Sequence, residues 1–332
     1  MSLGQPCAWL DLRTGTRLIV SPVSKARLDT DRPTEPDVLL GMALRICAGL
    51  ALAIMFAGVK WLAQHGVGVV ESLFYRQLGT ALAALAFVAI GPGLASLRTR
   101  RVGGHVARMG IGLLAMGFNF LGFALLPMAE ATAIGFSVPI FSTLLATLLL
   151  GEKTGLWRWG AILAGFIGVL VIVQPGSGHI ALTGGMVAIA AALTTACATI
   201  AIRHLGATEA AATTVFWFGA SSLVPLGLAM LVVGQAHSTE VFGVLAVMAI
   251  AGGAAQLFLT GALRFAPVAL VMPMDYLSLI WSSLLGFFIF SQLPSHWTLL
   301  GAPLVIAAGL VILWREQRLK RRAGAELVEL AD

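Results

Sequence analysis

Charged residues are scarce in this chain. Asp, Glu, Lys and Arg make up 11% of its 332 residues, whereas hydrophobic residues make up 58%. An ordinary soluble domain carries about 25% charged residues. So few charges cannot build a water-facing surface, and most of the surface must therefore face lipid.

Cysteines and catalytic motifs are equally sparse. Cys7, Cys47 and Cys197 have no paired spacing and no neighbouring histidine cluster, which argues against a disulfide framework and a zinc site. The chain also lacks the GxxxxGK[ST] phosphate loop and the HExxH and GxSxG motifs. We therefore expect no metal, no cofactor and no enzymatic activity. The net charge of +6 does not predict a nucleic-acid partner, because the basic residues are scattered between apolar runs.

Long apolar runs dominate what is present. A helix needs about 20 apolar residues to cross the hydrocarbon core of a bilayer. Ten segments qualify, and they cover roughly residues 39–62, 70–91, 106–127, 130–150, 157–174, 183–203, 212–234, 241–262, 267–290 and 298–314. The fold class is therefore predicted to be an all-α polytopic membrane protein with ten transmembrane helices.

The positions of Lys and Arg predict the orientation of these segments. With the N-terminus inside, the inner side carries the basic residues of the N-terminal region and also Arg98, Arg100, Arg101, Arg108, Lys153, Arg158, Arg203, Arg264, Arg315, Arg318, Lys320, Arg321 and Arg322. Only Lys60 lies near the outer face. Both termini are therefore expected in the cytoplasm and the chain in a bacterial inner membrane. Residues 1–37 are predicted to be a disordered cytoplasmic tail, with Met42 as an alternative start, and residues 315–332 a basic cytoplasmic tail.

The two halves of the apolar region resemble each other. The first half carries Gly151-Glu152, Trp157, Gly160 and Gly168, and the second carries, about 140 residues later, Ser291-Gln292, Trp297, Gly301 and Gly309. Five spans per half is an odd number, so the second half enters the membrane from the opposite side. We therefore predict inverted repeats over residues 38–174 and 183–314, with a substrate site near the midplane between them.

Further motifs connect the sequence with a known family. They are Phe74-x-Arg76, Pro127-Met128-Ala129-Glu130-Ala131, Pro139, Leu150-Gly151-Glu152, Ala266-Pro267-Val268-Ala269, Pro273-x-Asp275-Tyr276, Trp281, Gly286 and Pro294. In this order and doubled layout the chain resembles the EamA-type family of the drug/metabolite transporter superfamily. The resemblance implies ten helices in two inverted repeats, a central cavity and alternating access. Gln292 departs from the family pattern, which usually has an acidic residue there.

Two charged residues are the first candidates for a substrate site, because a charge inside a span costs a few kcal/mol on insertion scales. Arg76 lies roughly 9 Å from the outer end of the second segment, where it could bind a carboxylate, form a structural ion pair or reach the headgroups. Asp275 lies roughly 12 Å from the inner end of the ninth, just after Pro273, where it could bind an amine, carry a coupling proton or neutralise a nearby cation. Together the two charges suit a zwitterion. Arg45 is expected to reach the inner surface.

Other residues could line or shape the same cavity. The polar and aromatic candidates are Asn119, Gln256, Tyr276, Tyr75, Trp217 and Trp281, for which helix packing and interhelical hydrogen bonds are the alternatives. The candidates for helix kinks or gating are Pro139, Pro273 and Glu152.

These observations predict a secondary transporter that moves a small organic metabolite, such as an amino acid or a related compound, by alternating access. The second-half motifs are similar to the branch that includes S-adenosylmethionine and riboflavin uptake carriers, so such an uptake carrier is the alternative. A membrane-embedded enzyme and a non-transporting scaffold are the alternatives of another class. The partners expected are a small-molecule substrate, the lipid bilayer and a coupling proton. Whether the protein is a monomer or a homodimer is left open.

Overall fold

The computed structural model describes residues 9–10, 17–18, 35–91, 93–99, 101–150, 156–175, 181–206 and 208–329. Its helices are α1 (Glu35–Gln64), α2 (Val69–Ile90), α3 (Val102–Leu125), α4 (Met128–Gly135), α5 (Val138–Leu150), α6 (Leu156–Val173), α7 (Leu182–Gly206), α8 (Ala211–Val233), α9 (Thr239–Phe265), α10 (Val268–Val271), α11 (Ser278–Phe290) and α12 (His296–Glu329). Two 3₁₀ turns cover Leu94–Leu97 and Met272–Leu277. The two-residue strands β1 (Trp9–Leu10) and β2 (Arg17–Leu18) pair antiparallel.

The helices fit a bilayer in length and in surface. Within the described ranges, nine stretches are long and apolar enough to span a membrane, and Trp159–Val173 in α6 is a shorter apolar helix. Large hydrophobic side chains lie on the outside, among them Ile90, Leu231 and Val232, each at least 84% exposed. Such a surface is stable only against lipid. The prediction of an all-helical polytopic membrane protein is therefore confirmed.

Two of the spans are broken rather than continuous. The fourth consists of α4 and α5, which are separated at Phe136 and Ser137, and the ninth consists of α10, the second 3₁₀ turn and α11. Each begins directly after a proline, Pro127 or Pro267, and the residue before that proline is extended, with φ and ψ of −106° and 157° at Leu126. Proline disfavours a helical conformation in the preceding residue, so it separates each broken span from the helix before it.

The positions of Pro139 and Pro273 correct the expectation that they kink a continuous helix. Pro139 is the second residue of α5, and Pro273 is the second residue of the 3₁₀ turn. Proline is tolerated there because the first amides of a helix need no intrahelical acceptor. Pro139 therefore begins a helical segment after the break at Phe136 and Ser137, whereas Pro273 lies where α10 passes directly into the 3₁₀ turn. The prolines inside helices are Pro225 in α8 and Pro303 in α12.

The helices pack in recurring pairs. Helix α1 packs along α9, and α3 packs in the same way along α7. Helix α1 also contacts α11, as α7 contacts α5, while α2 packs on α8 and α6 packs on α12. The α6–α12 crossing is close, since a Cβ added to Gly301 would lie 2.6 Å from the carbonyl oxygen of Gly168. These pairings connect helices α1–α6 to helices α7–α12 within the described bundle.

The ends of the chain differ in part from the sequence prediction. Helix α12 continues without interruption to Glu329, so residues 316–329 are helical beyond the last spanning stretch, which ends at Arg315. Helix α1 begins at Glu35, inside the region predicted to be disordered. The rest of that prediction falls largely outside the described residues, which include only the short β1–β2 pair before Glu35. Glu152, the candidate at the end of the fourth span, also lies outside them.

Candidate functional site

The two broken spans meet at the centre of the bundle. The Thr132 hydroxyl of α4 donates a hydrogen bond to Oγ of Ser282 in α11, at 2.7 Å, and both side chains are buried. Phe136, at the break of the fourth span, meets Tyr276, in the 3₁₀ turn of the ninth, with ring centroids 5.0 Å apart and planes at 75°. Interruptions of the regular α-helix at membrane depth occur where protein or a cavity surrounds the backbone, and we take this contact as the centre of the candidate site.

Asp275 is held by an arginine of α1. Nε and Nη2 of Arg45 each donate to one carboxylate oxygen of Asp275, which gives a bidentate ion pair. The Arg45 side chain is 9% exposed and that of Asp275 39%. The expectation that Arg45 reaches the inner surface is therefore wrong, because the pair holds its guanidinium against the 3₁₀ turn. Asp275 is neutralised by this partner and does not face Arg76 as an isolated charge.

Arg76 is buried in the N-terminal half of α2, where it is 4% exposed. Its Nη1 donates to the amide oxygen of Gln77, its Nε has no hydrogen-bond partner, and the Nε2 amide nitrogen of Gln77 also has none. The aliphatic part of the side chain lies against α1 and α9, since a Cβ added to Gly252 would sit 3.1 Å from Sδ of Met55 and 3.3 Å from Cγ of Arg76. Arg76 therefore points into protein and does not reach the headgroups.

A second arginine within a span, Arg108, is half-buried and is not one of the candidates that the sequence analysis names. Its Cζ lies 4.0 Å from the centroid of the Phe218 ring in α8, and its Nε and Nη1 atoms are buried without a partner. The predicted third segment began at about residue 106, so Arg108 was assigned to the inner loop. Helix α3 begins four residues earlier, at Val102, which carries Arg108 about 9 Å into the span. The sequence feature that indicates this position of Arg108 is Gly112, one turn later in α3. Only a residue without a Cβ leaves room there for the Arg108 guanidinium.

Lys60 and Glu130 each stabilise a helix end near the predicted outer face. Nζ of Lys60 donates to the carbonyl oxygen of Leu126 at 2.6 Å, at the carboxyl end of α3, where a cation is favourable. Oε1 of Glu130 accepts from the Ser295 amide and the Thr298 hydroxyl, both at 3.1 Å, at the amino end of α12. An acceptor at this end satisfies free N–H groups. Both charges were visible in the sequence, but their partners lie on other spans.

Glu71 and His237 form another buried pair on the same face. Nε2 of His237, in the loop before α9, lies 3.0 Å from Oε1 of Glu71 in the first turn of α2. The distance fits an ion pair when the imidazole is protonated, although neither atom has a hydrogen bond of good geometry. Phe242 packs against His237 and against Tyr75, with centroids 6.0 and 6.3 Å away. Tyr75 therefore belongs to the cluster that Glu71, His237 and Phe242 form.

The polar candidates Asn119 and Gln256 lie on different faces of the bundle. Nδ2 of Asn119 donates to Oγ1 of Thr195 in α7 at 2.9 Å and to the carbonyl oxygen of Ala115 at 2.8 Å, so it connects α3 to α7. Gln256 lines a small crevice between α2, α8 and α9, which is otherwise largely apolar. Asn119 is therefore engaged in an interhelical hydrogen bond, whereas the side chain of Gln256 faces an opening.

The aromatic candidates are also dispersed. Nε1 of Trp217 donates to the carbonyl oxygen of Leu97 at 2.9 Å and so connects α8 to the turn before α3. Nε1 of Trp281 is buried without a partner, and its ring lies near Gly49 of α1. Tyr276 is half-buried, and its hydroxyl lies beside Gly309 of α12. Asp275, Tyr276 and Trp281 thus all lie in the ninth span, which is the second broken span. Arg76 and Trp217 lie elsewhere in the bundle.

Taken together, the nine spanning stretches, the broken spans and the buried charges define a multi-pass α-helical membrane protein. Residues 39–174 match the EamA-like transporter family. A riboflavin transporter of Rhizobium johnstonii is 32% identical over 300 residues, which is 88% of this chain and 97% of the relative. The chain therefore belongs to the EamA-like transporter family, and membrane transport is its general function.

Two further comparisons agree with this assignment. An S-adenosylmethionine uptake transporter of Rickettsia felis is 28% identical over 255 residues, 76% of this chain and 85% of the relative. A protein of known crystal structure superposes with a TM-score of 0.56 over 83% of this chain and 96% of its own, at 19% sequence identity. That similarity extends to the fold alone. Among the described residues, no group of three or more His, Cys, Asp or Glu side chains could hold a metal ion.

Proposed function

We propose that the protein is a secondary transporter that carries a small organic metabolite, such as an amino acid or a related compound, across the bacterial inner membrane by alternating access. Two inverted repeats of five spans, over residues 38–174 and 183–314, would move against each other around a central site. Both termini would lie in the cytoplasm, with residues 1–37 preceding the first repeat.

The observation that carries the proposal is the contact between the two broken spans. Discontinuous spans in corresponding positions of two halves are typical of transporters, because their exposed backbone groups can bind substrate at the midplane. Pro127 and Pro267 precede these spans, and Phe136 and Tyr276 meet at the breaks. The helix pairing supports inverted repeats, because exchanging the first five spans with the last five converts the α1–α9 pair into the α7–α3 pair.

The ion pair of Arg45 and Asp275 supplies a candidate for coupling to protons. Protonation of Asp275 would remove its charge and weaken its hold on Arg45, which connects α1 to the second broken span. Release of this connection would free the inner end of α1 to move relative to α11. A zwitterion bound between Arg76 and Asp275 has less support than the sequence suggested, because Asp275 already has a cationic partner.

The second candidate function is uptake of riboflavin or S-adenosylmethionine. The names of the Rhizobium johnstonii and Rickettsia felis relatives favour it. The aromatic residues around the second broken span, Phe136, Tyr276 and Trp281, would suit a flat ring system. The charge of the substrate discriminates between the candidates, since riboflavin is neutral and S-adenosylmethionine is cationic.

Transport by the purified full-length protein in proteoliposomes tests the proposal. The vesicles are preloaded with an amino-acid mixture, riboflavin or S-adenosylmethionine, and counterflow of the same labelled compound is followed with and without a pH gradient. We expect saturable counterflow for one compound class, and a dependence on the gradient that Asp275→Asn abolishes. Protein-free vesicles and Arg264→Gln, a change at the exposed end of α9, are the controls. Absence of counterflow for every compound by protein that remains folded contradicts the proposed substrate class.

Reporter fusions test the predicted repeats independently of any substrate. Fusions placed after Glu329 and in the loop around His237 should report opposite sides of the membrane. An even number of spans also requires fusions at the two chain ends to report the same side. Ends on different sides would exclude two inverted repeats of five spans.

A further inference from the structure

We propose that Arg76 and Arg108 together form a binding site for an oxyanion, and that the transported metabolite is an organic anion whose carboxylate or phosphate group binds there. This inference rests on the proposed transport function and narrows its substrate class. It adds Arg108 to the site and takes Asp275 out of direct substrate binding.

The two arginines approach the middle of the membrane from opposite ends of adjacent helices. Arg76 is the eighth residue of α2 from its outer end, and Arg108 is the seventh residue of α3 from its inner end. The Arg108 side chain extends deeper still, because a Cβ added to Gly112 would lie 2.4 Å from its Nη1. Gly112 is roughly 15 Å along α3, close to the centre of a hydrocarbon core about 30 Å thick. Helices α2 and α3 touch near both arginines, since a Cβ added to Gly117 of α3 would lie 4.0 Å from Cδ1 of Leu73 in α2.

Among the residues that the structure describes, no carboxylate balances the charges of the two arginines. In the described part of the chain, neither Arg76 nor Arg108 forms an ion pair with a carboxylate. The acidic residues of the described bundle face other groups: Asp275 pairs with Arg45, Glu130 binds the start of α12, Glu71 lies beside His237, and Glu209 accepts a hydrogen bond from Thr99 and lies 4.0 Å from His105. Buried charges in proteins are paired or coordinated, so a partner from outside the chain is expected.

The unfilled hydrogen-bonding groups have the chemistry of an oxyanion site. Four buried nitrogen atoms have no acceptor, namely Nε of Arg76, Nε2 of Gln77, and Nε and Nη1 of Arg108. All four are donors, and guanidinium groups bind carboxylate and phosphate through paired N–H groups. The Phe218 ring covers one face of Arg108 at 4.0 Å and leaves the guanidinium edge for hydrogen bonding. Arg76 is 4% exposed, and a metabolite delivered through the carrier reaches such a position more readily than a lipid headgroup does.

Matched anionic and neutral compounds test the site. The full-length protein is purified in a neutral detergent, and its thermal unfolding is followed during titration with succinate against succinamide and with riboflavin 5′-phosphate against riboflavin. Each pair differs chiefly in one type of polar group. We expect at least one anion to bind roughly tenfold more tightly than its neutral counterpart.

Variants assign the preference to the two arginines. Arg76→Gln and Arg108→Gln should each remove the preference for the anion, whereas Arg264→Gln, the same charge change at an exposed position, should leave it intact. Arg108→Lys keeps the charge and should retain part of the preference, which controls for loss of folding in the glutamine variants. A wild-type protein that binds no anion better than its neutral counterpart overturns the proposal, and so does a preference that survives in both glutamine variants.

Counterflow of the same compounds in proteoliposomes separates this inference from the proposed function. Transport of riboflavin without any preference for anions would leave the carrier function standing and remove the oxyanion site. Binding of an anion that depends on both arginines, without counterflow of that anion, would leave the site standing and contradict transport of an organic anion.

Discussion

Gly79→Ala tests the closest helix crossing near the proposed site. Gly79 of α2 faces α9, and a Cβ at this position would lie 2.3 Å from the carbonyl oxygen of Ala249 and 3.0 Å from its Cα. Gly253 lies at the same crossing, where a Cβ would sit 2.9 Å from the carbonyl oxygen of Gly79. These obstacles are backbone atoms, so rotation of a side chain cannot relieve the clash.

The size of the effect follows from these distances. Ordinary contacts of a Cβ begin at 3.4 Å, so α2 and α9 must separate locally by about 1 Å. Overpacking of a well-packed interior destabilises by about 1–3 kcal/mol. Alanine is about 1 kcal/mol better than glycine within a helix, which offsets part of the loss. We therefore expect a net loss of up to about 2 kcal/mol relative to the wild type, and a loss of about 1–3 kcal/mol relative to a glycine-to-alanine change without a clash, together with a displacement of Arg76, which lies one turn away.

The assay is thermal unfolding of the purified variant, compared with Gly243→Ala in α9. A Cβ at Gly243 meets nothing within 4 Å, so this control tests the same chemical change without the crossing. The control should match the wild type or exceed it slightly, while Gly79→Ala should unfold at a temperature lower by several degrees. Equal unfolding temperatures for the two variants would refute the close approach of α2 and α9.

Three further predictions concern the buried charges. Asp275→Asn should destabilise the protein by about 3–5 kcal/mol, because it leaves the buried Arg45 cation unpaired. Arg45→Met should destabilise it by less, because the carboxylate that remains is 39% exposed. Thermal unfolding measures both losses of stability, and equal losses would contradict this difference. Gly112→Ala should weaken anion binding at least fivefold in the titration described above, since its Cβ would displace a guanidinium, whereas Gly110→Ala meets nothing within 4 Å and should not. Lys60→Met should lower stability by about 1–3 kcal/mol in urea or thermal unfolding, because carbonyl oxygens at the end of α3 lose their donor; unchanged unfolding would show that this bond contributes nothing.

Much of the architecture could be predicted from local properties of the sequence. The length and hydrophobicity of each run are sufficient to identify a span, because crossing a bilayer depends on about 20 consecutive residues and little else. The predicted segments accordingly coincide with the observed helices to within a few residues in most cases. The starts of the two broken spans were also visible, since Pro127 and Pro267 determine the backbone of the residues before them.

The predictions are wrong where a small error in the position of a helix end or helix break changes the assigned role of a residue. The third span is predicted to begin at about residue 106, whereas α3 begins at Val102. Because of this difference of four residues, Arg108 counts as a loop residue in the prediction and lies inside the span in the structure. Pro139 was read as a kink within one helix, although the break comes before it, at Phe136 and Ser137. Helix ends depend on which side chains and backbone groups can satisfy free N–H and C=O groups, and in this bundle those groups come from other spans.

The sequence alone determined that this chain crosses a membrane many times, belongs with EamA-like transporters by its motifs, and carries charges that need partners inside the bilayer. Only the tertiary structure decided which partners those are. Arg45 and Asp275 are 230 residues apart in the chain, and Asp275 binds Arg45 because α1 packs against the second broken span. For the same reason, no carboxylate of the described bundle pairs with Arg76 or Arg108. A buried charge is neutralised by whatever helix packing brings within a few ångströms, and that distance is a property of the assembled bundle.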